Sequence, residues 1–275
     1  GFCGTCEQCL SGHPNLCNAR YVSRPRGAQP RLRLAGEPAT QFADVGSFAE
    51  QMLLHENSVV KIDSDIPLDR AALVGCGVLT GVGAALRTAG LQAGQSVAVF
   101  GCGGVGLSVI QGARIGGAGR IIAVDQFQSK LDMAMNLGAT DALDASAGHT
   151  VDALREMTGG RGVDHAFEAV GLPVLVRQCV ESLAIGGTAT IVGVPPMGAM
   201  IEFPFSALHP ECKVQTSRMG SNRFRIDIPM YLDFYRQGRL RLDDMVTRTG
   251  RLEDVNEAFR AMKAGEVART VLCFD

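Results

Sequence analysis

The chain has 275 residues, of which 46% are hydrophobic and 20% charged, and its formal net charge at pH 7 is −2. This composition is typical of a globular protein with a sizeable core. The near-neutral charge argues against nucleic acid or an anionic membrane surface as a partner. The apolar runs have the length of strands, not of a membrane span. Residue 1 is Gly, and no signal peptide is visible before the first cysteine, so we expect a trimmed or partial chain, and the alternative of a lost targeting segment stays open. We expect a cytoplasmic protein.

The first predicted element is a cysteine lobe, the loop that carries Cys3, Cys6, Cys9 and Cys17 in the spacing C-x-x-C-x-x-C-x7-C. Two-residue gaps let neighbouring thiolates converge on one ion, and the longer third gap lets the loop return over it. Four sulfurs with no vacant position are typical of a closed, tetrahedral structural zinc site. One alternative is an iron–sulfur cluster, although the bacterial ferredoxin spacing has a three-residue third gap followed by Pro. The other alternative is a loop of unligated cysteines. Because the remaining cysteines are scattered, we expect metal binding in a reducing compartment and no disulfide framework.

The rest of the chain divides into an irregular part and an alternating part. Residues 21–45 are rich in Arg, Pro and Gly and predict irregular structure, and a strand signal follows at 47–62. From about residue 68, short apolar runs alternate with helical periodicity, which predicts an α/β fold with a doubly wound parallel (Rossmann) sheet. Ser129 is the predicted N-cap of one helix, and Gly138 is its C-terminal stop. The predicted strands are Ser96–Phe100, Arg120–Asp125, Asp141–Asp144, 163–170, 188–194 and 270–274, and the predicted helices are 105–114, 129–137, 151–157, 174–185, 228–237 and 253–263.

The sequence GCGGVG at 101–106, which we call the phosphate cradle, matches G-x-G-x-x-G directly after the strand Ser96–Phe100. Gly101 permits a tight turn, Gly103 lets the backbone approach a pyrophosphate, and Gly106 allows close packing of helix and strand. The N-terminus of the following helix offers free N–H groups to phosphate oxygens. The predicted phosphate-binding residues are therefore Gly101, Gly103, Gly104, Val105 and Gly106.

Asp125 ends the strand RIIAVD, about 20 residues after the phosphate cradle. A carboxylate at this position accepts hydrogen bonds from the adenosine ribose hydroxyls and repels a 2′-phosphate, so the pattern favours NAD over NADP. An ordinary glycine turn with a surface Asp is one alternative. A methyltransferase is a second, since it also uses a glycine-rich turn and an acid at a strand end, but the cysteine lobe has no place in that fold.

Taken in this order, these features resemble the medium-chain dehydrogenase/reductase family, specifically its zinc alcohol dehydrogenases. The resemblance covers essentially the whole chain, and the segment 219–229 is similar to the bacterial branch with class III-like and nitrosoaniline-dependent enzymes. It implies a partial GroES-like catalytic domain with the structural zinc at 1–70, an NAD-binding domain at 71–216, and a return to the catalytic domain at 217–275. The resemblance rests on the cysteine lobe, 75–81 (GCGVLTG), 101–106, Asp125, 191–196 (IVGVPP) and 268–270 (ART).

The resemblance also implies residues at the cofactor. Lys130 matches a lysine beside the adenosine ribose, with a solvated helix lysine as the alternative. Val192 and Val194 match positions that pack the nicotinamide ring and supply backbone partners to its carboxamide. Arg269 matches an arginine that contacts the pyrophosphate, with an exposed charge on a terminal strand as the alternative.

Two residues match the family's catalytic centre: Cys76, the third ligand of the catalytic zinc, and Thr80, which contacts the nicotinamide. A small buried thiol is the alternative for Cys76. The family places the other ligands, a Cys and a His, upstream of the cysteine lobe, so we expect an N-terminally truncated chain with an incomplete catalytic zinc site. The pair His55-Glu56 lies after the lobe and predicts a surface position, not a ligand.

The predicted function is hydride transfer between a primary alcohol, or a hydroxymethyl adduct, and NAD, in a homodimer or homotetramer that uses zinc. A zinc-free quinone or enoyl reductase should lack both the cysteine lobe and Cys76. A short-chain dehydrogenase needs Tyr-x-x-x-Lys, and none of Tyr21, Tyr231 and Tyr235 is followed by such a Lys. Because two ligands of the catalytic zinc are absent, we expect this truncated chain alone to bind NAD and one structural zinc without oxidising alcohols. It would then act as a non-catalytic NAD-binding protein, which is the remaining alternative.

Overall fold

A computed structural model describes residues 1–18 and 28–274. Part of the predicted irregular segment 21–45, with Tyr21, lies outside the described residues. A six-stranded parallel sheet in the order β5-β4-β3-β6-β7-β8 forms the centre of the described part. This sheet confirms the predicted α/β, doubly wound class. Its strands are β3 (Ser96–Phe100), β4 (Arg120–Asp125), β5 (Asp141–Asp144), β6 (Val163–Glu168), β7 (Leu183–Ile191) and β8 (Lys213–Thr216).

The central strands are buried on both faces, which explains their continuous apolar runs. In β3, Val97 and Val99 belong to a core on one face of the sheet, and Ala98 and Phe100 belong to a second core on the other face. Side chains alternate across a strand, so one apolar run supplies both cores. β3 therefore sits at the centre of the sheet, with β4 on one side and β6 on the other.

The helices α4 to α7 connect these strands and cover the sheet, much as predicted. Gly138 ends α5 in a left-handed conformation with φ of 118°, which confirms the predicted stop. The N-cap of α5 is Phe127 and no side chain caps it, so the expectation for Ser129 was wrong. The helices are α4 (Gly104–Ile115), α5 (Gln128–Leu137), α6 (Thr150–Met157) and α7 (Pro173–Glu181).

Two other predicted elements differ in the structure. The helix predicted at 174–185 ends at Glu181, because Leu183 pairs with Val163 and begins β7. The strand signal at 47–62 was wrong, since those residues form no strand and pair with no strand among the described residues. Apolar residues in that segment, such as Phe48 and Leu53, remain exposed. A strand needs a neighbouring strand to pair with, and an apolar composition does not show that such a neighbour exists.

A long apolar helical run, Leu68–Thr88, was not predicted from the sequence. It joins α2 (Leu68–Leu73) and α3 (Leu79–Gly83) through π-helical turns at Val74–Val78 and Ala84–Thr88. With 21 residues and a mean hydropathy of 1.5 it has the length and composition of a membrane span, but 56% of the apolar window is buried inside the protein. A buried helix of this kind is typical of a protein core, and α3 packs on α4 beside Gly112.

The remaining elements lie before and after the sheet. The predicted helices near the C-terminus are confirmed with small shifts of their ends, and the last strand pairs in parallel with β9. Every strand of the central sheet lies within 71–216, but the three predicted domain ranges remain predictions. These elements are α1 (Glu7–Leu10), β1 (Leu32–Leu34), β2 (Glu37–Ala39), α8 (Phe224–Arg236), β9 (Arg248–Arg251), α9 (Val255–Lys263) and β10 (Thr270–Cys273).

Candidate metal and dinucleotide sites

The cysteine lobe brings four sulfur atoms together. The Sγ atom of Cys6 lies 3.5 Å from that of Cys9 and 3.9 Å from that of Cys17, and Cys3 lies 3.9 Å from Cys9 and 3.6 Å from Cys17. Four sulfurs at about 2.3 Å from a tetrahedral zinc are about 3.8 Å apart. The spacing of these sulfurs therefore fits a structural zinc, and in the described residues this is the only such group of three or more His, Cys, Asp or Glu.

The backbone of the lobe is arranged to stabilise sulfur anions. The N–H groups of Thr5 and Cys6 donate to Cys3 Sγ at 3.4 and 3.3 Å, and the Cys3 N–H donates to Cys17 Sγ at 3.3 Å. The Thr5 N–H contributes most to lowering the pKa of Cys3, to about 5, whereas burial raises the pKa of Cys9 to about 12. Bound zinc deprotonates a coordinating thiol outright. A zinc ion would therefore favour the thiolate form of Cys9, which burial alone disfavours.

The phosphate cradle connects the end of β3 to the start of α4, at the position where the strand order of the sheet reverses. Gly101 has a φ of +93°, a conformation that favours glycine, and its N–H donates to Val124 O at 2.8 Å. A side chain at Gly106 would collide with Gly101 O, so the helix can approach the strand this closely only without one. Nothing lies within 4 Å of the position that a side chain at Gly103 would take, and no side chain caps the start of α4. The N–H groups of this helix start lie at the carboxyl end of β3, and in doubly wound sheets dinucleotides bind outside this end of the strands, in what we call the crevice.

Asp125 is held in a fixed orientation at the tip of β4. Its Oδ2 accepts the N–H of Cys102 at 2.8 Å, and its Oδ1 accepts the N–H of Phe127 at 3.1 Å. A carboxylate offers about four lone-pair sites, so two backbone contacts leave acceptor capacity for ribose hydroxyls. The neighbouring Cys102 is not a reactive thiol, because burial and the charge of Asp125 raise its pKa to about 12.

Arg269 reaches from the start of β10 to the phosphate cradle. A side chain placed at Gly104 or at Gly77 would collide with its guanidinium group, which therefore lies between the cradle and the run Leu68–Thr88. Among the described residues no carboxylate or other acceptor pairs with this group, and burial lowers its pKa while Cys76 opposes the shift. The alternative of an exposed charge on a terminal strand was wrong, since Arg269 is half-buried.

The residues matched to the catalytic zinc and the nicotinamide lie in two places, the run Leu68–Thr88 and the loop after β7. Cys76 is exposed, so the alternative of a buried thiol was wrong, and it belongs to no group of three metal ligands among the described residues. Thr80 is buried on α3 and donates its hydroxyl to Met219 Sδ at 3.9 Å. Val192 is buried after β7, whereas Val194 is 88% exposed. His55 Nδ1 accepts the N–H of Asn57, so this nitrogen is engaged in a local turn.

Sequence reasoning missed Glu168, a fully buried carboxylate at the end of β6. Its Oε1 accepts N–H groups of the next turn at 2.9 Å from Val170, 2.7 Å from Gly171 and 3.4 Å from Leu172. Its backbone oxygen accepts the N–H of Val192 at 2.8 Å, and its Oε2 has no partner among the described residues. Glu168 thus ties two segments together at the rim of the crevice. A usable signal was present, because Glu168, like Asp125, is an acid at the end of an apolar strand.

The chain is similar to zinc-binding dehydrogenases in sequence. The profile of a family described as zinc-binding dehydrogenase matches residues 104–235. An S-(hydroxymethyl)glutathione dehydrogenase of Saccharomyces cerevisiae is 38% identical over 285 residues, and the match covers 99% of this chain and 73% of the relative. The protein of the same name from Paracoccus denitrificans is 34% identical over 285 residues, with 99% of this chain and 76% of the relative covered.

Solved structures give the same result. An alcohol dehydrogenase zinc-binding domain protein from Burkholderia ambifaria superposes with a TM-score of 0.93 at 35% identity, over 100% of this chain and 76% of that one. Benzyl alcohol dehydrogenase from Acinetobacter calcoaceticus superposes with a TM-score of 0.92 at 31% identity, again over 100% of this chain and 76% of that one.

Proposed function

Because the chain belongs to the medium-chain zinc alcohol dehydrogenase family, we propose that it transfers a hydride between NAD and a primary alcohol or a hydroxymethyl adduct. It is a zinc-dependent alcohol dehydrogenase that uses NAD and acts on small-molecule alcohols or aldehydes. The named relatives act on S-(hydroxymethyl)glutathione or benzyl alcohol, which supports both substrate classes here. The alternative of a chain that only binds NAD is not favoured, because the similar proteins are dehydrogenases.

The observation that carries this proposal is the convergence of three groups on the crevice at the end of β3. The open N-terminus of α4 and the unpaired guanidinium of Arg269 suit the two charges of a pyrophosphate. The fixed carboxylate of Asp125 suits a ribose diol and disfavours a 2′-phosphate. We therefore assign adenosine to the β4 side of the crevice and nicotinamide to the β6 and β7 side, near Thr80, Val192 and Val194.

The residues fit the two zinc roles unequally. The four cysteines of the lobe fit a structural zinc, which supports the fold of the lobe but has no open position for a substrate. For a catalytic zinc we propose Cys76 as one ligand, and the described residues bring no group of three ligands together around it. When bound, NAD accepts or returns the hydride, and this chain's residues orient it and exclude water from it.

The test is NADH formation by the purified, zinc-loaded protein with a panel of primary alcohols, benzyl alcohol and S-(hydroxymethyl)glutathione. We expect alcohol-dependent NADH formation with NAD and little or none with NADP. Saturable NAD binding without turnover of any alcohol would contradict the proposed activity. Absence of NAD binding would contradict the assignment of the crevice as well.

We also propose that the protein is a cytoplasmic homodimer or homotetramer. Three large apolar side chains, Met197, Met200 and Phe205, are exposed in the segment between β7 and β8, and exposed apolar side chains favour an interface there. None of the nine cysteines, all of which are among the described residues, forms a disulfide bond, which suits a reducing compartment. Size-exclusion chromatography with light scattering tests the oligomeric state, and a monomer would contradict it. Cell fractionation tests the location, and a secreted protein would contradict it.

A further inference from the structure

The ammonium group of Lys130 lies in an unusual setting at the adenosine side of the crevice. Lys130 is on the first turn of α5, and its Nζ atom lies 4.7 Å from the centre of the Phe127 ring. A side-chain carbon at Gly265, in the loop before β10, would lie 3.6 Å from the same Nζ. Among the described residues no carboxylate or carbonyl pairs with this ammonium. The ring face therefore supplies its one favourable electrostatic contact in the described part of the chain, and its donors remain free.

Phe127 connects this ammonium to Asp125. The N–H of Phe127 donates to Asp125 Oδ1 at 3.1 Å, while its ring lies against Lys130. The ring is 43% exposed and belongs to neither buried core. Core packing therefore does not explain why an aromatic residue occupies position 127. One residue thus fixes the acceptor through its backbone and the donor through its side chain.

We propose that Phe127 is a positioning residue, whose ring orders the Lys130 ammonium while its N–H orders the Asp125 carboxylate, so that one donor and one acceptor are available to the adenosine ribose together. The proposal rests on the proposed function, since the ribose belongs to NAD. A free lysine side chain has many rotamers, and ordering it on binding weakens a ligand's affinity. A cation held on an aromatic face has lost part of that freedom before the cofactor arrives.

The size of the expected effect follows from the strength of an exposed cation–π contact. Losing the ring should weaken NAD binding about twofold to fivefold. Phe127→Tyr retains the ring face and should keep the affinity of the original protein. Phe127→Leu removes the face while preserving most of the apolar volume. Phe42→Leu is the matched control, because Phe42 is 90% exposed and lies outside the crevice.

Lys130→Met separates an action through the ammonium from direct stacking of Phe127 on adenine. If Phe127 acts through Lys130, Phe127→Leu weakens NAD binding in the original protein but adds nothing in the Lys130→Met background. Direct stacking would instead produce the same loss in both backgrounds, and that result would overturn the proposal. Equal affinities for Phe127→Leu and Phe127→Tyr would also overturn it.

The experiment is isothermal titration of NAD into the original protein, the three single variants, Phe42→Leu and the double variant Phe127→Leu/Lys130→Met. Matching thermal melting temperatures exclude misfolding as the cause of a weaker affinity. If the original protein does not bind NAD, the proposed function fails and this inference fails with it. If it binds NAD and the double-mutant cycle shows no coupling, only the role of Phe127 is wrong.

Discussion

The cysteine lobe and the parallel sheet are stabilised in different ways. Of residues 1–18, all of which the structure describes, only Asn15 is buried, and α1 buries no residue. In the sheet, by contrast, the central strands lie between two buried apolar cores. A small loop without a core depends on its metal, whereas a sheet depends on the summed burial of many apolar groups. The two regions should therefore respond to different perturbations.

The largest effect should follow removal of one ligand from the lobe, by Cys9→Ser. A structural zinc contributes on the order of 10–16 kcal/mol to folding of a small metal-bound unit, so we expect the lobe to lose its zinc and its fold. Elemental analysis should show one zinc fewer per chain, and proteolysis should cut within the lobe while the sheet remains intact. Cys273→Ser is the control, since Cys273 is exposed and outside the lobe. Full zinc content in Cys9→Ser would show that the four sulfurs do not form the site.

A cavity in the core of the sheet should have a smaller effect, and it should lower the stability of the sheet without removing zinc from the lobe. Phe167 in β6 is fully buried, and Phe→Ala in a core costs about 3–5 kcal/mol. We expect the denaturation midpoint of the sheet to fall while the zinc content stays unchanged. Phe42→Ala, at a side chain that is 90% exposed and outside the sheet, should leave the midpoint almost unchanged. Loss of zinc in Phe167→Ala would contradict the separation of the two regions.

Within the sheet, Glu168 should affect one end of the crevice and not the other. Glu168→Ala leaves three N–H groups of the turn after β6 without their acceptor, at a cost of about 1–3 kcal/mol. We expect weaker binding of NAD but unchanged binding of AMP, because the turn borders the nicotinamide side. Glu168→Gln keeps an acceptor oxygen and should recover most of the affinity. An equal loss for AMP and NAD would show that Glu168 supports the sheet as a whole.

The smallest effect is a pH dependence of the sheet at Asp164. Burial raises the pKa of this carboxyl, but Arg161 and the N–H and hydroxyl of Ser96 outweigh it and hold the pKa at about 2, below the usual 3.8. The charged form is therefore favoured by folding, so its contribution is present above pH 3.8 and is lost as the pH falls through about 2. We expect about 1 kcal/mol, since Arg161 is largely exposed. The free energy of unfolding should be measured between pH 3.8 and about 2 in both proteins. It should decrease less over this range in Asp164→Asn than in the original protein.

The two regions also differ in how far the sequence predicts them. The cysteine spacing is a local pattern, and it predicted the group of four sulfurs before any fold was known. The strands and the phosphate cradle were predictable for a similar reason, because apolar runs and glycines act over a few residues. The roles of Cys76 and Thr80 came from the family resemblance and remain predictions.

Other features depend on contacts that are distant in sequence. The run Leu68–Thr88 is apolar along most of its length and rich in glycine, so it lacks the one-sided periodicity that predicts a helix. The start of β7 was assigned to a helix because its pairing with β6 cannot be read locally. Phe127 and Glu168 act through backbone N–H groups and a ring face that only the folded chain brings together.

The most direct test concerns Asp125 and the dinucleotide crevice. Isothermal titration of NAD into the original protein and Asp125→Asn compares a charged acceptor with its neutral isostere at the same position. We predict one NAD-binding site per chain and a dissociation constant at least about tenfold larger in Asp125→Asn, because hydrogen bonds to charged groups contribute about 1.5–3 kcal/mol. An unchanged dissociation constant would contradict the assignment of Asp125 to the cofactor.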